Sequence, residues 1–213
     1  MAKAIVLAIL AALLALPLAP TAPPATAKGR VRTVTRTFTN AATIDLPNAQ
    51  TGPVSGSVYP SEIAVGGLKR ARIRDVNVRL NGYAHANGAD VDVLLVGPDG
   101  QTAIVMSRVG EETAGNGPVT LRFDDEAAAV LPDNEVNGGT FRPTNHDGVA
   151  IDFNDPAPAT SANAALSVFD GGNPNGAWRL FVQDAFPTAD PGAVAGGWEL
   201  ELTAKVKAKK KRR

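Results

Sequence analysis

The stretch from Val76 to Gly100, VNVRLNGYAHANGADVDVLLVGPDG, decides the fold class. Val76, Val78 and Leu80 alternate with Asn77 and Arg79, the period of two that puts one face of a strand in a core and the other in water. The alternation begins upstream, in Lys69 to Leu80, where Ala71 and Ile73 are the apolar members. Its phase slips by one near Arg74-Asp75, which predicts a β-bulge. Asp90 to Val96 (DVDVLLV) reads as a second strand, with Val91, Val93 and Leu95 sharing a face. Gly97-Pro98-Asp99-Gly100 then has proline at the second turn position and glycine at the fourth. Thr102 to Met106 is the returning strand of a hairpin.

Outward from this stretch the same grammar repeats. Val31 to Phe38 alternates β-branched residues with Thr and Arg, and Ala42 to Leu46 is a shorter strand before Pro47-Asn48. Gly52 to Ser57 is a loop. Val119 to Phe123 alternates again. Near the end, Trp178, Leu180 and Val182 share one face, with Arg179 and Gln183 opposite. Trp198, Leu200 and Leu202 share another, with Glu199, Glu201 and Thr203 opposite. These two segments read as antiparallel strands with one side buried and one side solvated. Residues 125–165, rich in Asn, Pro and Ala, read as irregular crossovers. After the first 27 residues no helical period of useful length occurs. With 21 Gly and 16 Pro among 213 residues, the chain suits short strands joined by tight turns. The expectation is an all-β fold, a jelly-roll-like antiparallel β-sandwich.

The N-terminus has the three parts of an export leader: Lys3, a 12-residue apolar run from Ile5 to Leu16, and the A-x-A signal Ala25-Thr26-Ala27. The run is too short to cross a hydrocarbon core, which takes about 20 residues, so cleavage and a secreted, extracellular product without a transmembrane segment are expected. There is no cysteine, which excludes disulfides, thiol catalysis and thiolate metal sites. The formal net charge of zero conceals a polarity. KVKAKKKRR at the C-terminus has seven positive charges and no negative one, while residues 28–204 have 13 basic residues against 21 acidic, a net of −8. The organisation read from the sequence is a signal peptide (1–27), N-terminal strands and loop (28–58), the main sandwich (59–204) and a basic disordered tail (205–213).

VNVRLNGYAHANGADVDVLLVGPDG, VTLRFDDEAAAVLP, FRPTN, PAPAT, SVFDGGNPNGAWRLFVQD and PGAVAGGWELEL, taken in order, resemble the P-domain (P/Homo B) family. These are the β-sandwich modules that follow the catalytic domain of kexin- and furin-like proprotein convertases. Related copies occur in secreted bacterial proteins without a protease domain. The positions that carry the resemblance are His85, Asp90, Pro98 with Gly100, Phe123-Asp124-Asp125, and Gly176 with Trp178, within residues 59–203. The resemblance implies a jelly-roll sandwich that supports the folding and stability of a protease and contributes no catalytic residue. A subtilisin-like domain does not fit in 213 residues beside it, so such support would be given in trans.

Catalytic constellations are nearly absent from the sequence. His85 and His146 are its only imidazoles, and no G-x-S-x-G elbow, Walker loop or H-E-x-x-H motif occurs. No enzymatic activity is expected. Asp90, Asp92, Asp124, Asp125 and Asp170 are hard oxygen donors of the kind calcium takes. No EF-hand spacing joins them, and Asp also terminates strands and braces turns. Trp178 and Trp198 could stack on sugar rings, although their neighbours suit core packing. The tail has the charge to hold an anionic surface, and without interleaved aromatics it indicates no specific nucleic acid. The functional expectation is a secreted non-catalytic module that binds or stabilises a partner, a secreted protease or a cell-surface polymer. The alternatives are an accessory chain of a subtilisin-like serine protease and a carbohydrate-binding sandwich.

Overall fold

The computed structural model describes residues 31–47, 51–110, 116–186 and 191–207. The leader and the tail beyond Lys207 lie outside these. The described residues form thirteen strands: β1 (Val31–Asn40), β2 (Ile44–Leu46), β3 (Val54–Ser55), β4 (Ser61–Val65), β5 (Ala71–His85), β6 (Val91–Val96), β7 (Thr102–Ser107), β8 (Asn116–Phe123), β9 (Gly139–Phe141), β10 (Thr144–Asn145), β11 (Gly176–Asp184), β12 (Gly192–Val194) and β13 (Trp198–Lys207). They build two sheets. In the first, β13 runs between β1 and β5, β12 and β2 continue that side, and β8 and β9 extend the other side of β5. The second has the order β10-β7-β6-β11, with β3 and β4 both pairing β11. The pairings are antiparallel except β10 with β7 and β8 with β9. The chain is a β-sandwich.

The inner faces meet in one core. Val76, Val78 and Leu80 of β5, Leu200 and Leu202 of β13, Val91, Val93 and Leu95 of β6, and Trp178, Leu180 and Val182 of β11 are all buried in it. The phase slip at Arg74-Asp75 is a bulge. Thr203 pairs Asp75 while Ala204 pairs Ile73, leaving Arg74 unmatched. Gly97 to Gly100 is the β6–β7 turn, closed by Gly100 N–H donating to Gly97 O at 3.0 Å.

Three readings of the sequence change. The two tryptophan segments lie in opposite sheets, β11 in the second and β13 in the first, because each Trp covers the core from its own side. Of the two outer faces, only that of β13 is wet. Phe181 and Gln183 on the outer side of β11 are buried, at 2% and 1% exposure. The segment after residue 147 lies over them, and Ile151 and Phe153 form a second apolar cluster there with Leu94, Val96, Ile104 and Phe181. Finally, β1 joins the first sheet and the ladder does not stop at Ala204. β1 pairs β13 from Val31↔Lys207 to Asn40↔Trp198. Val206 packs partly buried against the core, so residues 205–207 belong to the strand.

Candidate functional site

The residues that carry the family resemblance come together as braces between loops. Gly176 has φ +135°, and a Cβ there would stand 2.6 Å from the Cβ of Pro98. The β6–β7 turn and the start of β11 therefore meet with no room for a side chain. Trp178 is fully buried, donates from Nε1 to Pro174 O at 3.0 Å, and meets Phe169 edge-on with centroids 5.0 Å apart. Phe123 is core. Asp124 accepts from Glu126 N–H at 2.9 Å. Asp125 accepts from Leu166 N–H at 2.9 Å and Ser167 N–H at 2.7 Å, two backbone donors at the start of the 3-10 turn Leu166–Phe169.

His85 ends β5 inside the protein, 2% exposed. Its Nδ1 lies 2.6 Å from Asn87 O and 3.2 Å from Asn87 N. Nε2 is 3.7 Å from Asp184 Oδ2, with both side chains sealed from solvent. Among the described residues neither atom has a hydrogen-bond partner, nor has the buried Tyr83 hydroxyl. Burial pushes the Asp184 carboxyl up, the Phe186 N–H and His85 oppose it, and Asp90 adds to it. The Tyr83 phenol is pushed up by burial and then by Asp90 and Asp184. His146 is half-exposed, 3.7 Å from Asp133. Among the described residues no serine or threonine hydroxyl bonds to either ring, so the arrangement a triad needs is not assembled around them.

The five aspartates of the calcium expectation fall in different places. Asp90 sits in the 3-10 turn Gly88–Asp90 just before β6, near Tyr83 and Asp184. Asp92, fully buried, lies on the outer side of the second sheet. It accepts from the Ser107 hydroxyl at 2.6 Å and from Gln183 Nε2 at 3.5 Å. Burial raises its pKa, while Ser107 and Arg108 oppose the shift. Gln183 also donates to Asp152 O at 3.0 Å and accepts from Asn154 N–H at 3.0 Å, which pins the covering segment to the sheet. Asp125 and Asp170 meet in a small cleft with Arg74, Asp75 and Glu126. Asp75 and Asp170 both have raised pKa values, chiefly through burial. Among the described residues no three His, Asp or Glu side chains are arranged to hold a metal ion.

The sequence reading passed over Gln183 as a pinning residue and Arg108 beside it. Arg108 follows β7 in the left-handed region, φ 55°, and its guanidinium lies 4.3 Å over the Phe186 ring. Strand periodicity is blind to both, because they act across a layer that has no period. Trp178 and Trp198 are both fully buried. The Trp198 indole N–H donates to Ser61 Oγ at 3.0 Å, so neither ring offers a platform for a sugar. No helix among the described residues is long and apolar enough to cross a membrane.

No family model matches the chain, and no curated protein matches it. Among solved structures, a serine protease of Aeromonas sobria is similar at 12% identity and a TM-score of 0.39, over 84% of this chain and 28% of that one. A structure of infectious bursal disease virus, Gx strain, is similar at 12% identity and a TM-score of 0.19, over 91% of this chain and 42% of that one. This chain thus spans less than a third of the length of the protease it is compared with.

Proposed function

We propose that the chain is a secreted, non-catalytic, P-domain-like module that binds and stabilises a secreted serine protease in trans. One observation carries this reading: the residues of the resemblance brace the fold rather than assemble a reaction centre. Gly176 closes on Pro98, Asp125 caps the turn at Leu166, Trp178 anchors Pro174, and His85 is enclosed at the end of β5. A module whose signature residues are spent on rigidity suits a scaffold that presents a surface. The test is a pull-down with the chain lacking residues 1–27 as bait in culture supernatant of the native host. The expected result is retention of a subtilisin-like protease whose thermal inactivation slows when the module is added back. Capture of no protease, or peptide turnover by the purified chain that His85→Ala abolishes, would overturn the reading.

A further inference from the structure

The register of the first sheet gathers basic side chains at one pole. Lys205 of β13 pairs directly with Arg72 of β5 and with Thr33 of β1. All three lie on the outer face, since the preceding outer pair, Thr35 and Thr203, share a hydroxyl hydrogen bond of 2.8 Å. Lys207 pairs Val31 at the strand ends, and Arg32 pairs Val206 beside them. The turn that enters β5 adds Lys69 and Arg70, both exposed, with Arg70 at φ 58°. None of Arg32, Lys69, Arg70, Arg72, Lys205 and Lys207 is in an ion pair among the described residues. Arg74, by contrast, faces Asp170. Acidity begins only one outer row inward, at Asp75 opposite Thr203.

Like charges directly opposite on neighbouring strands oppose pairing, so Arg72 beside Lys205 is a local cost to the fold with no partner to offset it. Elsewhere several arginines are paired among the described residues. Arg79 meets Glu199, Arg122 meets Glu201 and Asp124, and Arg179 meets Glu62. Apart from Arg36, Arg74 and Arg142, the arginines without an ion pair among the described residues gather at the pole at which β13 ends. The sequence beyond adds Lys209, Lys210, Lys211, Arg212 and Arg213.

We infer that this pole is a docking surface for an anionic phospholipid bilayer, with the folded residues Arg32, Lys69, Arg70, Arg72, Lys205 and Lys207 as its fixed part. The shape selects the partner. Strand register gathers these charges at one end of the first sheet, where a plane of negative charge can meet them together. Val31, 52% exposed, stands among them as an apolar contact at headgroup level. Near such a surface each Lys or Arg contributes roughly five-fold in affinity, and the attraction fades beyond a Debye length of about 8–10 Å.

The test uses the chain lacking residues 1–27 and vesicles of phosphatidylcholine with about 30% phosphatidylglycerol, in co-sedimentation at rising salt. A first variant has Lys209→Gln, Lys210→Gln, Lys211→Gln, Arg212→Gln and Arg213→Gln. It should still bind these vesicles, not pure phosphatidylcholine, and release with salt. Adding Arg70→Gln, Arg72→Gln and Lys205→Gln should weaken binding on the order of 100-fold. Arg142→Gln with Arg179→Gln, added to the first variant instead, should not. The urea midpoint of the Arg72→Gln, Lys205→Gln chain should stay level or rise, because a repulsion is removed, which separates lost binding from lost folding. Three results overturn the inference: no vesicle binding by the tail-neutralised chain, equal binding after the polar substitutions, or retention on duplex DNA with the same residue dependence and none on vesicles.

Discussion

Replacing Trp178 by alanine tests the architecture most directly. The indole is fully buried between the sheets, edge-on to Phe169, with its N–H on Pro174 O. Lost burial and the residual cavity cost about 3–5 kcal/mol for a large aromatic. The orphaned Pro174 carbonyl adds about 1 kcal/mol. The expected loss is therefore about 4–6 kcal/mol, against a total stability of roughly 5–15 kcal/mol for a domain. Trp178→Phe keeps a ring against Phe169 and removes only the donor and part of the volume, so it should cost about 1–2 kcal/mol. Urea unfolding followed by far-UV circular dichroism measures both, since Trp198 alone would then report fluorescence. The midpoint should fall in the order wild type, Trp178→Phe, Trp178→Ala, with an unchanged slope. A loss below about 1 kcal/mol for Trp178→Ala would mean that the indole is not enclosed, and the placement of β11 against the first sheet would fall with it.

Stability should rise as pH falls from neutral toward the ordinary carboxylate range. Asp75, Asp92, Asp170 and Asp184 all have folded-state pKa values raised by burial. Their contribution is complete below the unfolded pKa and is lost as pH climbs through the folded one. Thermal melts across that range check this, and Asp92→Asn should flatten the profile; a midpoint that drops monotonically on acidification would refute it. Gly176→Ala should cost about 2–4 kcal/mol, because φ +135° and the 2.6 Å approach to Pro98 both oppose a Cβ; an unchanged urea midpoint would contradict the contact. Truncation after Lys207 should leave the melting temperature level. Truncation after Ala204 should lower it, since it removes the partners of Val31 to Thr33 and the half-buried Val206. Equal midpoints for the two truncations would show that the last turn of the ladder contributes nothing.

The strands that cross the core were legible because one alternation tells which face is wet. Val76 to Leu80, Val91 to Val96 and Trp198 to Thr203 all lie in strands where periodicity places them, although β5 runs on to His85 and β13 to Lys207. The bulge at Arg74 was visible as a slipped phase. What alternation misreads is a strand buried on both faces. In β6 all six residues are buried, and nothing in DVDVLLV says that Leu94 and Val96 meet a second layer. That layer, Ile151 and Phe153, comes from an irregular stretch whose apolar residues are too sparse to announce a partner. The acids were legible as candidates only by type. Asp125 as a cap and Asp92 as a pinned carboxylate depend on backbone and side-chain donors 41 and 15 residues away. The basic tail was plain from its charge, whereas the basic pole was not, because Lys205, Arg72 and Arg32 meet only through strand register.

β13 has a consequence for how such a chain matures. It follows every other described strand, yet it lies in the interior of its sheet, paired with β5 on one side and β1 on the other. The first sheet has no closed form until β1 and β13 have both been made. β1 has no other edge to dock on meanwhile. Closure joins residues 158 to 176 positions apart, at the slow end of what topology permits. A nascent chain built this way leaves β1 unpaired until β13 has emerged, and that strand then acts as the fastener that shuts the sandwich.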